Sequence, residues 1–227
     1  MSIAHYIDHT ILKPDTTLQQ IEGLCAEAVE YGFASVCVNP SWVHNCQDFL
    51  LGTKVIICTV IGFPLGSNLP EVKSYEAIKA VEAGASEIDM VINIGALKSG
   101  LPARVEDDIS LMRQSVPKAI LKVIIETCLL TDSEKKLACT FAKNCGADFV
   151  KTSTGFSTGG ATVEDIILIR SVVGETMGIK ASGGIKNLKT ALAMIKAGAT
   201  RLGCSAGIAI VEAEKQLIEF ESFLLHD

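Results

Sequence analysis

Four times along the chain an amphipathic stretch closes on Gly-Ala, or on Gly-Phe-Ala, and an apolar run begins two or three residues later. The junctions are Gly32-Phe33-Ala34, Gly84-Ala85, Gly146-Ala147 and Gly198-Ala199, at intervals of 52, 62 and 52 residues. Glycine supplies the left-handed backbone that ends a helix, and alanine lets the chain turn tightly back toward a sheet. An interval of this length holds two strand–helix units, so four junctions imply eight strands. The apolar runs place strands near 4–8, 35–38, 54–59, 87–93, 120–126, 149–152, 178–181 and 201–204. Their near-continuous Val, Ile and Cys content suits parallel strands covered on both faces. Helices fill the gaps at 18–30, 41–50, 71–83, 101–115, 132–144, 163–173, 188–197 and 206–225, with Asp132 and Thr162 as expected N-caps. No linker-like or low-complexity stretch divides the 227 residues. The expected fold is α/β, a single-domain (β/α)8 TIM barrel over residues 1–227, with a doubly wound open sheet as the alternative.

Composition narrows the function classes. A net charge of −6 with no basic block argues against a nucleic-acid surface. Eight cysteines (25, 37, 46, 58, 128, 139, 145 and 204) show no C-x-x-C pair and no zinc spacing. Several lie in apolar runs, where a free thiol acts as a small hydrophobe. With no signal-peptide pattern they read as reduced thiols, and the expected compartment is the cytoplasm. The longest apolar stretch, 55–65, is interrupted by Thr59, Gly62 and Pro64 and is too short to span a bilayer, so no membrane partner is expected. His5, His9, His44 and His226 show no ligand spacing, and no metal is expected.

In a barrel, catalytic groups sit at the C-terminal ends of strands. Asp8 ends the first expected strand, Asp89 and Asn93 lie on the fourth, Lys122 and Glu126 on the fifth, Lys151 on the sixth and Lys180 on the seventh. Residues 89, 91 and 93 share a face by period-two alternation, as do 122, 124 and 126, so charges from five strands converge on one axis. Lys151 stands in an apolar run, Asp148-Phe149-Val150-Lys151, that breaks into Thr152-Ser153-Thr154-Gly155. Desolvation and a neighbouring cation both favour the neutral amine, a nucleophile toward aldehydes, which makes Lys151 a candidate Schiff-base former. The plainer alternative is a lysine whose stem packs while its head reaches water. Lys180 would supply the neighbouring cation, and Asp89 would handle protons directly or through a water. A competing reading has Lys122, Lys180, Asp89 and Glu126 as a purely structural ion-pair set, and for Lys122 and Glu126 the two readings stand even.

Glycines make a second constellation. The seventh strand runs into Ser182-Gly183-Gly184-Ile185 and the eighth into Gly203-Cys204-Ser205-Ala206-Gly207. Loops after strands seven and eight, with amides at a helix N-terminus, are the usual barrel phosphate site. Gly155 and the hydroxyls of Thr152, Ser153 and Thr154 would reach the same anion from strand six. Asp8, Thr10, Cys37, Lys122, Thr152 and Lys186 are possible pocket residues. Cys37 and Cys204 have no evident base and read as structural thiols, and Phe63-Pro64-Leu65-Gly66 reads as a loop that shapes the pocket wall.

These segments resemble a known family, the deoxyribose-phosphate aldolases, class I enzymes of deoxynucleoside and carbohydrate breakdown. The resemblance rests on Ile7-Asp8-His9-Thr10-Ile11-Leu12, Val36-Cys37-Val38-Asn39-Pro40 and Val60-Ile61-Gly62-Phe63-Pro64-Leu65-Gly66 in the first three units. It continues through Glu87-Ile88-Asp89-Met90-Val91-Ile92-Asn93 and Leu121-Lys122-Val123-Ile124-Ile125-Glu126-Thr127. Most specific are Lys151-Thr152-Ser153-Thr154-Gly155 and Lys180-Ala181-Ser182-Gly183-Gly184 in that order, followed by Arg201-Leu202-Gly203-Cys204-Ser205. The resemblance implies reversible cleavage of 2-deoxy-D-ribose 5-phosphate to acetaldehyde and D-glyceraldehyde 3-phosphate. It implies Lys151 as the imine-forming lysine, Lys180 as the second active-site lysine, Asp89 as the proton-relay aspartate, and Gly155, Gly183, Gly184 and Ser205 as phosphate contacts. No metal or organic cofactor is implied, and the partners are the small-molecule substrates and a second copy, as a homodimer or larger homo-oligomer. Two departures stand out. Some members have lysine where Phe156 stands and a second serine where Ala206 stands, so Lys186 is the expected source of charge. Some members also end in a tyrosine, whereas here the last tyrosine is Tyr75 and the chain ends Phe223-Leu224-Leu225-His226-Asp227. The alternatives are another metal-free class I sugar-phosphate aldolase and a non-catalytic barrel that binds sugar phosphates.

Overall fold

Each junction glycine takes a positive φ where a helix stops: 67° at Gly32, 118° at Gly84, 75° at Gly146 and 115° at Gly198. From each the chain re-enters the sheet within a few residues. In the computed structural model, which describes residues 2–224, eight parallel strands close into a barrel in sequence order. They are β1 Ile7–Ile11, β2 Ser35–Val38, β3 Ile56–Ile61, β4 Glu87–Val91, β5 Ile120–Ile124, β6 Phe149–Lys151, β7 Gly178–Ser182 and β8 Arg201–Cys204. The helices are α1 Leu18–Tyr31, α2 Val43–Phe49, α3 Pro70–Glu82, α4 Ile94–Lys98, α5 Pro102–Ser115, α6 Asp132–Asn144, α7 Val163–Val173, α8 Leu188–Ala197 and α9 Gly207–Leu224.

Several boundaries differ from expectation for local reasons. Residues Ile3–Tyr6 form a 3-10 turn capped by Ser2, and β1 starts only at Ile7. Ile3 and Ala4 are as buried as strand residues, so apolar content alone placed the strand too early. Thr131, not Asp132, caps α6: it forms a capping box with Glu134, while Asp132 stands in the first turn, where its charge suits the helix dipole. Thr162 does cap α7, accepting from the Asp165 amide. Strands β4 and β5 end at Val91 and Ile124, two residues short of Asn93 and Glu126. Asn93 instead caps the short helix α4, which the sequence pattern did not separate from β4. The expectation about a terminal tyrosine falls on residues 225–227, which lie outside the described residues.

The two faces of the barrel wall have different chemistry. Outward residues such as Ile7, Val36, Ile88, Leu121, Val150, Ile179 and Leu202 are fully buried against the helix layer and make the main apolar core. Inward positions on β1 and β4 to β8 carry charges. On the β2–β3 side the lining is instead a small separate cluster of Leu12, Cys37, Cys58 and Val60 with Phe63 packed on it. Outside the wall, fully buried Lys73 donates to the Val91 carbonyl at 2.9 Å and to Asp108 at 2.6 Å, fastening α3 and α5 to the end of β4. No helix of the described residues is long and apolar enough to cross a membrane.

Candidate active site

Period-two alternation points seven charged side chains from six strands into the barrel: Asp8, Glu87, Asp89, Lys122, Lys151, Lys180 and Arg201. Asp89, fully buried, is their hub. Its Oδ1 accepts from Lys122 Nζ at 2.7 Å, and its Oδ2 accepts from Lys151 Nζ at 2.8 Å and from Lys180 Nζ at 2.7 Å. Lys180 also pairs with Asp8 Oδ2, and Lys122 pairs with Glu87 Oε2 at 2.6 Å. Arg201 closes the ring below, donating to Asp8 Oδ1 at 2.6 Å and to both Glu87 oxygens at 3.3 Å. Strand register brings these groups together, since Asp89 stands level with Lys122, and Lys151 with Lys180. Glu87 and Arg201 were missed in the sequence. Glu87 was legible by the same alternation, two residues before Asp89.

The ring decides which groups hold charge. Burial alone would raise the Asp89 carboxyl, but Lys122, Lys151 and Lys180 outweigh it and hold Asp89 well below the usual carboxylate range. Burial would likewise lower Lys180, yet Asp8 and Asp89 carry it well above the ordinary lysine value. Lys122 is raised in the same way, against burial and by Asp89 first. Three carboxylates thus face four basic groups. Among the described residues Lys122, Lys180 and Arg201 each meet at least two of the carboxylates, whereas Lys151 meets only Asp89. An amine at a cleft floor, hydrogen-bonded to a carboxylate that also holds an ammonium, has the proton relay that imine chemistry needs within reach.

Above the ring opens a cleft of about 410 Å3, with Lys151 on its floor. Its walls are the loop after β6 (Thr154 to Phe156) and the C-terminal strand ends and following loops of β7 (Ser182 to Lys186), β8 (Gly203 to Ser205) and β1 (Thr10 to Lys13). Gly155, Gly183, Gly184, Ser205, Thr10 and Lys186 all lie on this lining. Gly183 and Gly184 hold φ of 84° and 79°, a backbone that side-chain-bearing residues rarely adopt. Lys13, also on the lining and exposed, is a second cation that sequence reasoning missed.

Residues 2–213 match the family model described as DeoC/LacD family aldolase. The chain belongs to that family. It is 59% identical over 214 residues to a deoxyribose-phosphate aldolase of Streptococcus gordonii, covering 94% of this chain and 97% of the relative. It is 60% identical over 216 residues to a deoxyribose-phosphate aldolase of Listeria innocua, covering 95% and 97%. Among solved structures, the tetrameric deoxyribose phosphate aldolase from Aeropyrum pernix superposes with a TM-score of 0.88 at 35% identity, covering 95% of this chain and 92% of that one.

Within this DeoC/LacD aldolase several expected pocket residues stand elsewhere. Asp8 and Lys122 do not line the cleft, because ion pairing with Asp89 and Lys180 draws their heads to the barrel axis beneath Lys151. Cys37 is fully buried in the apolar β2–β3 cluster, away from the lining. Thr152 Oγ1 is engaged by the Ser182 backbone, accepting from its amide at 3.1 Å and donating to its carbonyl at 3.2 Å, so it clamps β6 to β7 and does not face an anion. Ser153 is fully buried and off the lining. Glu126 leaves the ionic ring altogether. It adopts φ of 54°, and its carboxylate accepts from the Thr154 amide at 3.3 Å and from the Thr154 hydroxyl. That clamp holds the loop that follows Lys151. The β3 loop reaches the cleft wall through Phe63, which packs edge-on against Phe156 at 5.2 Å.

Proposed function

We propose that the chain is a class I aldolase that reversibly cleaves 2-deoxy-D-ribose 5-phosphate to D-glyceraldehyde 3-phosphate and acetaldehyde. The observation that carries this reading is one buried carboxylate, Asp89, shared by the cleft-floor amine Lys151 and the ammonium of Lys180. The relatives named for the reaction, at 59% and 60% identity over nearly the whole chain, supply the substrate class.

In this mechanism Lys151 adds to the C1 aldehyde of the open-chain sugar, and the carbinolamine loses water to give an iminium ion. Asp89 takes the C3 hydroxyl proton through a water. The C2–C3 bond then breaks, and its electron pair flows to the iminium nitrogen, leaving an enamine on Lys151 and releasing D-glyceraldehyde 3-phosphate. Protonation at C2 and addition of water to the imine release acetaldehyde and restore the amine. The iminium is the electron sink, so the step needs no metal or organic cofactor. Lys180, kept protonated by Asp8 and Asp89 beneath the imine, passes a proton through a water to the departing carbinolamine oxygen and takes it back in the hydrolysis step. The phosphate rests on the amides of Gly155, Gly183 and Gly184 and on Ser205, with Lys186 and Lys13 supplying the charge absent at Phe156. The enzyme works in the cytoplasm as a homo-oligomer, as the tetrameric Aeropyrum pernix relative suggests.

Release of acetaldehyde from 2-deoxyribose 5-phosphate, read through alcohol dehydrogenase and NADH, tests the reaction; no release from the wild type overturns it. Lys180→Leu should fold and lose activity by at least about a hundredfold. Turnover close to wild type would remove Lys180 from the mechanism.

A further inference from the structure

Ser182 ends β7 on the same inward face as Lys180 and lies on the cleft lining, yet only 5% of it is exposed. Its backbone is fully engaged: the amide donates to Thr152 Oγ1, and the carbonyl accepts from Thr152 Oγ1 and from the Ala161 amide at 3.0 Å. Its side-chain oxygen, by contrast, has no hydrogen-bond partner among the described residues. A buried hydroxyl without a partner costs free energy that an alanine would avoid. The neighbouring strand makes room for it. Gly203 is level with Ser182, and a Cβ built there would stand 2.3 Å from Ser182 Oγ and 2.9 Å from Lys180 Cε.

Ser182 immediately precedes Gly183 and Gly184, the proposed phosphate amides, and shares the lining with Lys151, the proposed imine lysine. In a sugar phosphate held at both points, C4 and its hydroxyl lie between the imine carbon C1 and the phosphate-bearing C5, the stretch of the cleft that Ser182 lines. We propose that Ser182 is a specificity-determining substrate contact whose hydroxyl hydrogen-bonds the C4 hydroxyl of the sugar, which is the C2 hydroxyl of the acceptor aldehyde. The inference rests on the aldolase reading above. Thr152 and Ala161 fix the backbone from which this contact is made, and the free rotor serves as donor or acceptor.

The test runs the reaction in the synthetic direction with acetaldehyde and two acceptors: D-glyceraldehyde 3-phosphate, and 3-oxopropyl phosphate, which lacks only the hydroxyl. Ser182→Ala should lower kcat/KM for D-glyceraldehyde 3-phosphate about tenfold, the worth of one hydrogen bond, and change it less than about twofold for 3-oxopropyl phosphate. Its unfolding midpoint in urea should be no lower than wild type. An equal loss on both acceptors would mean a structural role and overturn the proposal, as would an unchanged rate with D-glyceraldehyde 3-phosphate. Failure of the aldolase reading itself looks different, because the wild type would then condense neither acceptor.

Discussion

Lys151 differs from the other basic groups of the barrel interior in two respects: it meets one carboxylate where they meet at least two, and it alone reaches the cleft. Asp89 is what the three lysines have in common. Asp89→Asn would strip Lys151 of its carboxylate and leave Asp8 and Glu87 to offset four basic groups, an under-compensated buried cluster. The expected cost is about 3–5 kcal/mol in urea unfolding, together with a fall in kcat of about a hundredfold to ten-thousandfold. A variant of unchanged stability would show that the ring is not held together through Asp89. Asp89, Lys151 and Lys180 were legible in the sequence as charges at one face of apolar strands. Arg201 was not, because a basic residue at the start of a strand reads as a solvent-facing charge until register places it under Asp8 and Glu87. Lys13 was equally opaque, since only the closed barrel brings the β1 loop beside the β7 and β8 loops.

At the level of elements, the loop after β6 depends on Glu126, a non-glycine residue held at positive φ and tied to Thr154. Glu126→Gln removes the charge from those hydrogen bonds at a cost of about 1–2 kcal/mol. The loop carries Gly155, so KM for the phosphorylated substrate should rise severalfold while KM for acetaldehyde in synthesis changes little; an equal change in both would place the effect at Lys151 instead. Between β7 and β8 the tolerance is narrower. Gly203→Ala would press on Ser182 and Lys180 together, and we expect a loss of about 1–3 kcal/mol in unfolding free energy with a clear fall in kcat. Wild-type kinetics in that variant would mean that Lys180 needs no fixed position. Strand ends were the least legible part of the elements. Glu126 and Asn93 continue an alternating pattern on paper, but the chain turns at Val91 and Ile124, where the barrel mouth begins.

For the molecule as a whole, the Gly-Ala junctions sufficed to anticipate eight strands in a closed barrel, because helix termination and return to the sheet are local events set by glycine. The ionic interior is a global property, and it shapes stability against pH. Asp8 and Asp89 are held below the unfolded value of 3.8 as the lysines outweigh burial, while Lys122 and Lys180 are held above 10.5 as the carboxylates outweigh burial. A lowered carboxyl contributes stability that is fully present above its unfolded pKa and lost as pH falls toward the folded one. A raised amine contributes stability that is fully present below its unfolded pKa and lost as pH rises toward the folded one. The stability difference between wild type and Asp89→Asn should therefore stay level across about pH 5–9 and narrow only beyond both ends. A difference that slopes through neutrality would mean that one of these groups titrates there. The central claim is that Lys151 forms the imine, and reductive trapping tests it most directly. Incubation with acetaldehyde and borohydride, followed by peptide mapping, should place a single ethyl group on Lys151 and abolish activity in step with its incorporation. An unmodified Lys151, or an ethyl group on Lys180 in its place, would contradict the account.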